Sequence, residues 1–207
     1  RFSAVEGLGL LHDRRALSPL VKLIENDSGL IKNAAIDAVA RIAPAEDASK
    51  VLLKLEPMVK KGKIFNTPAI LELLEKALAP GADFRPGPEF KKSYFNMFAK
   101  AIEDGDRSEK LMALKGIALL KAHDGLETVF RFIDSLNEIN EDTEDLIVDT
   151  IVAITGRGPL PEIFKDRLAK GGKCLKIIVR TLGELKSTQA VPLLKELIAR
   201  VSKQELR

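Results

Sequence analysis

Few side chains in this 207-residue sequence are of the types that most often do chemistry near neutral pH. There are two histidines, His12 and His123, which lie far apart at points where helical patterns end. Neither belongs to a group of residues with the spacing of metal ligands. We interpret both as solvated turn residues, and we expect no metal and no other cofactor.

The single cysteine, Cys174, excludes an internal disulfide and a cysteine-based metal site within one chain. It lies near the predicted start of a helix, beside Lys173 and Lys176, where a thiolate would be stabilised. A nucleophile or a pigment attachment point is therefore one interpretation. Because no histidine is near in sequence to activate it, a small, half-buried packing residue is the favoured interpretation.

Three glycine-rich stretches also fail as catalytic motifs. They lack the preceding strand and the spacing of a phosphate-binding loop, and they are Gly7-Leu8-Gly9, Gly156-Arg157-Gly158-Pro159 and Gly171-Gly172-Lys173. We interpret all three as structural. With no catalytic constellation in the sequence, we expect the protein not to be an enzyme.

Charge is distributed unevenly along the chain. Residues 1–99, 100–156 and 157–207 carry net charges of +3, −7 and +7, although the total is only +3. A groove that follows a nucleic-acid backbone would have to cross the acidic middle segment, which repels phosphate. A nucleic-acid partner is therefore not the favoured interpretation, although the basic end alone could touch phosphate.

Apolar residues recur at helical spacing almost from end to end, and glycine- or proline-containing turns interrupt them at short intervals. No stretch shows the alternation of a strand. The pattern predicts an all-α protein with about twelve helices in six pairs. The pairs are 3–12 with 16–26, 29–43 with 45–61, 67–79 with 88–104, 106–122 with 124–138, 143–155 with 159–170, and 172–186 with 188–203.

The first and last pairs repeat the same residues 174 positions apart. Seven positions are identical, and they are Leu8, Gly9, Leu11, Ala16, Leu20, Leu23 and Ile24 in the first pair. A shift of 109 places the same positions on residues of similar size and polarity in the fourth pair. We expect the large residues to fill the space between helices. The small residues Gly9, Ala118 and Gly183 should let one helix approach its neighbour. Since one pair cannot bury its apolar side alone, the pairs should stack.

These repeats resemble the HEAT repeat family, including the bacterial repeats related to those of phycobilin lyases. The resemblance is carried by residues 5–24 (VEGLGLLHDRRALSPLVKLI) and 179–198 (VRTLGELKSTQAVPLLKELI). It implies an α-α superhelix, a HEAT-like solenoid of about six hairpins, as one domain over residues 1–207. It also implies that the second helix of each pair lines the concave surface. We expect the sequence to be a fragment of a longer chain.

A solenoid offers a long curved surface without a deep pocket. We therefore predict a non-catalytic scaffold that binds another protein or protein segment, as a module of a larger bacterial regulatory or signalling protein in the cytoplasm. Its oligomeric state stays open. The alternatives are an enzyme that handles a bound tetrapyrrole, as phycobilin lyases do, and a nucleic-acid-binding protein. Candidate contacts on second helices are Lys50, Lys54, Lys91, Arg131, Lys165 and Lys195.

The segment 80–98 interrupts the pattern. Its loop, 80–88, contains three prolines and two glycines, with Phe84 and Arg85 at the centre. Five of the ten aromatic residues of the chain lie within fifteen positions, and they are Phe84, Phe90, Tyr94, Phe95 and Phe98. One interpretation is a protruding loop whose Phe84 and Arg85 dock a partner. The other is an inserted loop whose Phe84 folds back, with Phe90, Tyr94 and Phe98 in the core, and the spacing of four residues favours it.

Overall fold

The computed structural model describes residues 1–156 and 158–205, and the side chains up to residue 199. Arg157, in the turn predicted at Gly156–Pro159, lies outside the described residues. The described chain is all-helical. Its α-helices are α1 (Phe2–Leu11), α2 (Leu17–Asn26), α3 (Gly29–Ile42), α4 (Ala45–Lys60), α5 (Thr67–Ala77), α6 (Pro88–Asp104), α7 (Arg107–Leu120), α8 (Gly125–Ser135), α9 (Glu141–Thr155), α10 (Glu162–Lys170), α11 (Cys174–Glu184) and α12 (Val191–Glu205).

The helices form two compact units, residues 1–119 and 120–207. In the first unit α1 packs on α3 and α3 on α5, while α4 packs on α5 and α6. In the second unit α9 packs on α11, and α11 also contacts α8 and α10. Helices thus pack on neighbours one to three places along the chain, as in an α-α superhelix. The predicted fold class is confirmed, and each predicted helix corresponds to one observed helix.

Local sequence signals explain where several helices begin. Asp106 and Glu109 form a capping box, in which each side chain accepts a hydrogen bond from the other residue's backbone N–H, at 2.9 and 3.2 Å. The Asn66 side chain accepts from the N–H of Ala69 at 3.2 Å, and Pro68 occupies the first turn. These side chains satisfy backbone donors that the first turn of a helix leaves unpaired.

The backbone repeats with the same periods as the sequence. Among the described residues, non-glycine residues with positive φ are His12, Lys121 and Lys186, at 51°, 48° and 48°. Lys121 and Lys186 lie 109 and 174 positions after His12, which are the two shifts that align the sequence. A short 3₁₀ turn follows at Arg14–Ala16 and again at Thr188–Ala190. Because an αL residue costs free energy outside glycine, its recurrence shows that the same turn is built three times.

The close approach predicted at Gly9 is confirmed. A Cβ built at Gly9 would lie 3.0 Å from the Cβ of Ala38 and 3.1 Å from its Cα, so α1 and α3 meet almost backbone to backbone there. The same prediction is wrong for Gly183, which is exposed and has no described atom within 4 Å of its Cβ position. No described helix covers α11 at this point as α3 covers α1.

Among the glycines whose surroundings the structure describes, Gly116 has the closest neighbour, and it is not one of the seven repeated positions. A Cβ at Gly116 of α7 would overlap the ring of Phe98, which is fully buried on α6. The aromatic ring therefore occupies the space in which a side chain would stand. In the fourth predicted pair, the close approach between helices therefore lies at Gly116. It was predicted two positions later, at Ala118, which is half-buried.

Gly116→Ala should destabilise the protein by about 1–3 kcal/mol, because the ring of Phe98 must move out of a packed core. The matched control is Gly183→Ala, where the added methyl meets open space. That change should be neutral or stabilising by up to about 1 kcal/mol, since alanine favours a helix over glycine. Urea unfolding followed by circular dichroism measures both. Equal free energies of unfolding for the two variants would contradict the packing described.

Candidate interaction surfaces

The first candidate surface is a depression between the second helices α2 and α4, here called the α2/α4 groove. Its floor is apolar and its rim carries four basic side chains. The lining residues are Arg14, Arg15, Leu17, Ser18, Val21, Asp47, Lys50, Val51 and Lys54. The groove therefore brings the two predicted contacts Lys50 and Lys54 together with Arg14 and Arg15, which sequence analysis did not select. Arg14 and Arg15 come from the 3₁₀ turn that precedes α2. This turn lies within the repeated sequence, and that position was the signal from which the two residues could have been chosen.

Ion pairs hold part of this rim in place. Arg14 contacts Asp47 at 2.5 Å and Glu46 at 3.1 Å, and Lys50 contacts Asp47 at 3.0 Å. The hydrogen bond from Arg14, followed by that from Lys50, lowers the pKa of Asp47 below its ordinary value. Lys54 is exposed and takes part in none of the ion pairs seen among described side chains. Lys54 is thus the rim cation most available to a bound anion.

A second depression lies between α10 and α12, here called the α10/α12 groove, and is again formed by second helices. It is lined by Lys165, Asp166, Leu168, Ala169, Leu193, Glu196 and Leu197. The predicted contact Lys165 lies on its rim, 2.8 Å from Glu162. Its lining has one basic and two acidic side chains, whereas that of the α2/α4 groove has four basic and one acidic, so the α10/α12 groove is less suited to an anion.

The other predicted contacts are not gathered into either groove. Lys195 is exposed on α12 beside the lining residue Glu196, but does not itself line the groove. Arg131 is exposed on α8, and Lys91 is half-buried on α6. Their role as contacts remains a prediction.

The aromatic segment is mainly core. Phe90, Tyr94 and Phe98 are buried on α6, and the Tyr94 hydroxyl donates a hydrogen bond to the Leu52 carbonyl at 2.7 Å. Burial raises the pKa of Tyr94 well above its ordinary value, so the phenol stays protonated. The interpretation that these three residues belong to the core, which their spacing of four residues favours, is therefore confirmed.

The loop before α6 folds back rather than presenting its aromatic ring. Phe84 is half-buried and packs edge-on against Phe90, with ring centroids 5.3 Å apart. Arg85 is exposed, but its guanidinium donates to the carbonyls of Ala82 and Phe84 at 2.6 and 2.9 Å. The loop thus holds Arg85 against its own backbone, and the prediction that Phe84 and Arg85 contact a partner gains no geometric support.

Cys174 is packed into a polar cluster in the second unit. Its residue is 3% exposed, and its Sγ lies 3.6 Å from Oδ1 of Asp134. Asp134 pairs at 2.5 Å with Arg167, which in turn lies over the ring of Phe130. Burial, and then the charge of Asp134, raise the pKa of the thiol above its ordinary value. The thiol is therefore protonated near neutral pH, which disfavours a nucleophile.

The lysines expected to stabilise a thiolate at Cys174 are engaged elsewhere. Lys173 donates to the backbone carbonyl of Leu136, and Lys176 pairs with Glu144 on α9 at 2.8 Å. Asp134 and Arg167 lie 40 and 7 positions from the cysteine, and no local pattern around Cys174 predicts that they contact it. Only the packing of α8, α10 and α11 brings them to it.

The interface between α9 and α11 contains a buried carboxylate. Glu144 is 6% exposed and accepts from Lys176 at 2.8 Å and Arg180 at 2.6 Å, while Arg180 also contacts the exposed Asp145 at 2.7 Å. The hydrogen bonds from Lys176 and Arg180 lower the pKa of Glu144 below 4.5. The two cations keep Glu144 charged in a site that would otherwise favour its neutral form. We interpret these ion pairs as structural, because they hold α11 in place on α9.

Both histidines are exposed at turns, as predicted, and His12 has the αL backbone described above. Among the described residues there is no group of three or more His, Cys, Asp and Glu that could hold a metal ion. None of the described helices has both the length and the apolar character needed to cross a bilayer.

Together, the stacked helices and the two grooves on second helices define a helical repeat protein. The comparison with protein families agrees with this class. Residues 1–26 and 177–200 match the family of PBS lyase HEAT-like repeats. The resemblance inferred from residues 5–24 and 179–198 is therefore confirmed at both places, which together make up about a quarter of the chain. No curated protein and no solved structure matches the chain significantly.

Glu144→Gln should destabilise the protein at neutral pH by roughly 1–3 kcal/mol, because two cations lose a buried partner although both remain partly solvated. Since the pKa of Glu144 is lowered on folding, its contribution is present above pH 4.5 and is lost as pH falls through the lowered value. The difference between parent and variant should therefore shrink in acid.

Free energies of unfolding in urea between pH 3 and 7 measure this effect, a window that brackets the ordinary carboxyl pKa values. Asp145→Asn is the matched control. It removes an exposed partner of Arg180 and should cost less than about 1 kcal/mol. A Glu144→Gln cost that does not change with pH would contradict the assigned role of this carboxylate.

Proposed function

We propose that this helical repeat scaffold is a protein-interaction module that holds a segment of another protein in the α2/α4 groove. The observation that supports the proposal is the combination found there. Leu17, Val21 and Val51 line an apolar floor, and Arg14, Arg15, Lys50 and Lys54 surround it. An apolar floor with a basic rim fits an amphipathic helix whose polar side carries Glu or Asp.

The rim is also prepared for binding. Because Asp47 and Glu46 hold Arg14, and Asp47 holds Lys50, these cations lose little further side-chain freedom when an anion arrives. Lys54 supplies charge that has no ion-pair partner among the described residues. The α10/α12 groove is the second place where the same segment or another could lie. The bacterial regulatory setting and the cytoplasmic location belong to this proposal.

An enzymatic role on a tetrapyrrole has less support. The one thiol that could attach a pigment is buried, and burial and Asp134 raise its pKa. A nucleic-acid role would use the same basic rim, but nothing in the α2/α4 groove resembles an aromatic platform for bases. The apolar floor favours a protein segment.

Lys54→Glu should weaken binding of an acidic amphipathic peptide by roughly 3- to 10-fold at low salt. The reason is that a positive charge on the rim attracts the acidic peptide, whereas a negative charge repels it. The probe is a labelled peptide of roughly 15 residues, about four helical turns, with leucines on one face and glutamates on the other. Fluorescence anisotropy measures Kd. Lys54 is suitable because its reversal leaves the Arg14–Asp47–Lys50 pairs intact.

Two controls accompany this measurement. Lys115→Glu makes the same charge change on an exposed position of the first helix α7, and its Kd should equal that of the parent. A peptide with lysines in place of the glutamates should bind more weakly than the acidic peptide. The proposal fails if Lys54→Glu and Lys115→Glu weaken binding equally, or if both peptides bind alike.

A further inference from the structure

Within the first unit, another groove adjoins the α2/α4 groove at α4. It lies between the first turns of α4, the end of α5 and the loop 80–88, and is here called the α4/α5 groove. Its lining is mostly small and apolar, and among the described residues it has two carboxylates and no basic side chain. Residues that line it include Ala45, Glu46, Ser49, Ala77, Pro80 and Asp83. Its charge is therefore opposite to that of the α2/α4 groove, whose rim has four cations.

The two grooves meet at the first turn of α4. Glu46 lines the α4/α5 groove, and the next residue, Asp47, lines the α2/α4 groove. Arg14, on the rim of the α2/α4 groove, contacts these two carboxylates at 3.1 and 2.5 Å. A bound chain that leaves one groove over this turn therefore enters the other after crossing one helix, whose diameter with side chains is roughly 10–12 Å.

Asp83 is the carboxylate of the α4/α5 groove that is most available to a cation. It is exposed and takes part in none of the ion pairs seen among the described side chains, whereas Glu46 already pairs with Arg14. The nearby Arg85 does not neutralise it through an ion pair, because the Arg85 guanidinium donates to two backbone carbonyls of the loop instead. A cation that enters this groove thus meets an unpaired carboxylate.

Two contacts hold the loop that carries Asp83. Phe84 borders the groove with its ring packed edge-on against Phe90, at 5.3 Å between centroids. The N–H of Ala82 donates to the carbonyl of Ala79 at 2.9 Å. A carboxylate on a loop that is already held in place loses little freedom when a cation binds, so less free energy is spent on ordering it.

We propose that the segment bound in the α2/α4 groove continues over the first turn of α4 and places a lysine or arginine beside Asp83 in the α4/α5 groove. This inference rests on the function proposed above and adds the order of charges along the partner. Acidic residues face the basic rim, and a basic residue follows at one end. The small apolar lining, which includes Ala45, Ala77 and Pro80, accommodates the aliphatic stem of that side chain while its charged end meets Asp83.

The opposite charges of the two grooves also determine which way the partner lies. A segment placed the other way round would bring its basic residue to the basic rim and its acidic residues to Asp83. Like charges would then meet in both grooves, and such repulsion is a common source of specificity.

The test adds a tail to the acidic peptide described above. The tail has about four small polar residues, enough to span one helix diameter when extended, and then a pair of lysines. It is placed at the N-terminus of one peptide and at the C-terminus of another, because a helix can lie in a groove in either direction. Fluorescence anisotropy at low salt gives Kd for each peptide. The ratio of Kd without the tail to Kd with it should be roughly 3 to 10 for at least one tail position on the parent protein.

Asp83→Asn should lower this ratio to about 1, because the variant removes the partner of the lysines. The ratio compares two peptides on the same protein, so a general change in affinity cancels. Asp149→Asn makes the same change at an exposed aspartate of α9, and as the matched control it should keep the parent ratio. Asp83 is chosen rather than Glu46, because a change at Glu46 would also release Arg14 in the α2/α4 groove.

Failure of this inference differs from failure of the proposed function. If the tailless peptide binds the parent more tightly than Lys54→Glu, but neither tail changes Kd, the inference is overturned and the proposed function stands. The inference is also overturned if Asp83→Asn keeps the parent ratio, since the lysines would then bind elsewhere. If the tailless peptide does not bind the parent, both are overturned. Circular dichroism checks that each variant keeps its helix content.

Discussion

Each helical pair in this chain has an apolar side that only another pair can cover. The contact between Gly9 and Ala38 shows how this is done, because two helices approach until their backbones almost touch and the large aliphatic residues on either side close the remaining space. Burial of this kind contributes about 25 cal/mol per Å² of apolar surface, which is the dominant favourable term in folding. A pair left uncovered forgoes that term, so stacking is required for stability and not merely permitted.

Ion pairs supplement apolar packing at some of the interfaces between helices. In the second unit, Glu144 lies between α9 and α11 and binds two cations, while Asp134 binds Arg167 beside Cys174. A buried carboxylate adds less to stability than apolar packing would, but it tolerates few arrangements of its partners. These groups therefore fix the position of one helix on another.

The surfaces available for binding are those that are not buried when the helices pack on one another. Second helices leave shallow grooves between them, and in the first unit the α2/α4 groove combines apolar and basic side chains. Grooves of this kind have the shape and charge that a peptide segment with its own charge pattern would complement.

Local periodicity and turn residues were enough to predict the helices, and the 174-residue shift that preserves seven residues was enough to predict the repeat. The sequence also indicated that Phe90, Tyr94 and Phe98 are core, since their spacing places them on one side of a helix. It could not distinguish Gly9 from Gly183, because the two share a local sequence and differ only in whether another helix lies over them.

Which residues meet across the chain depends on how the helices pack in three dimensions. Gly116 contacts Phe98 eighteen positions away, and Glu144 contacts Lys176 thirty-two positions away, through the relative placement of helices that each look ordinary alone. The groove on α2 and α4 likewise joins Arg14 to Asp47 across thirty-three positions. Burial, ion pairing and the pKa of a side chain depend on these distant neighbours, and no local pattern in a single sequence encodes them.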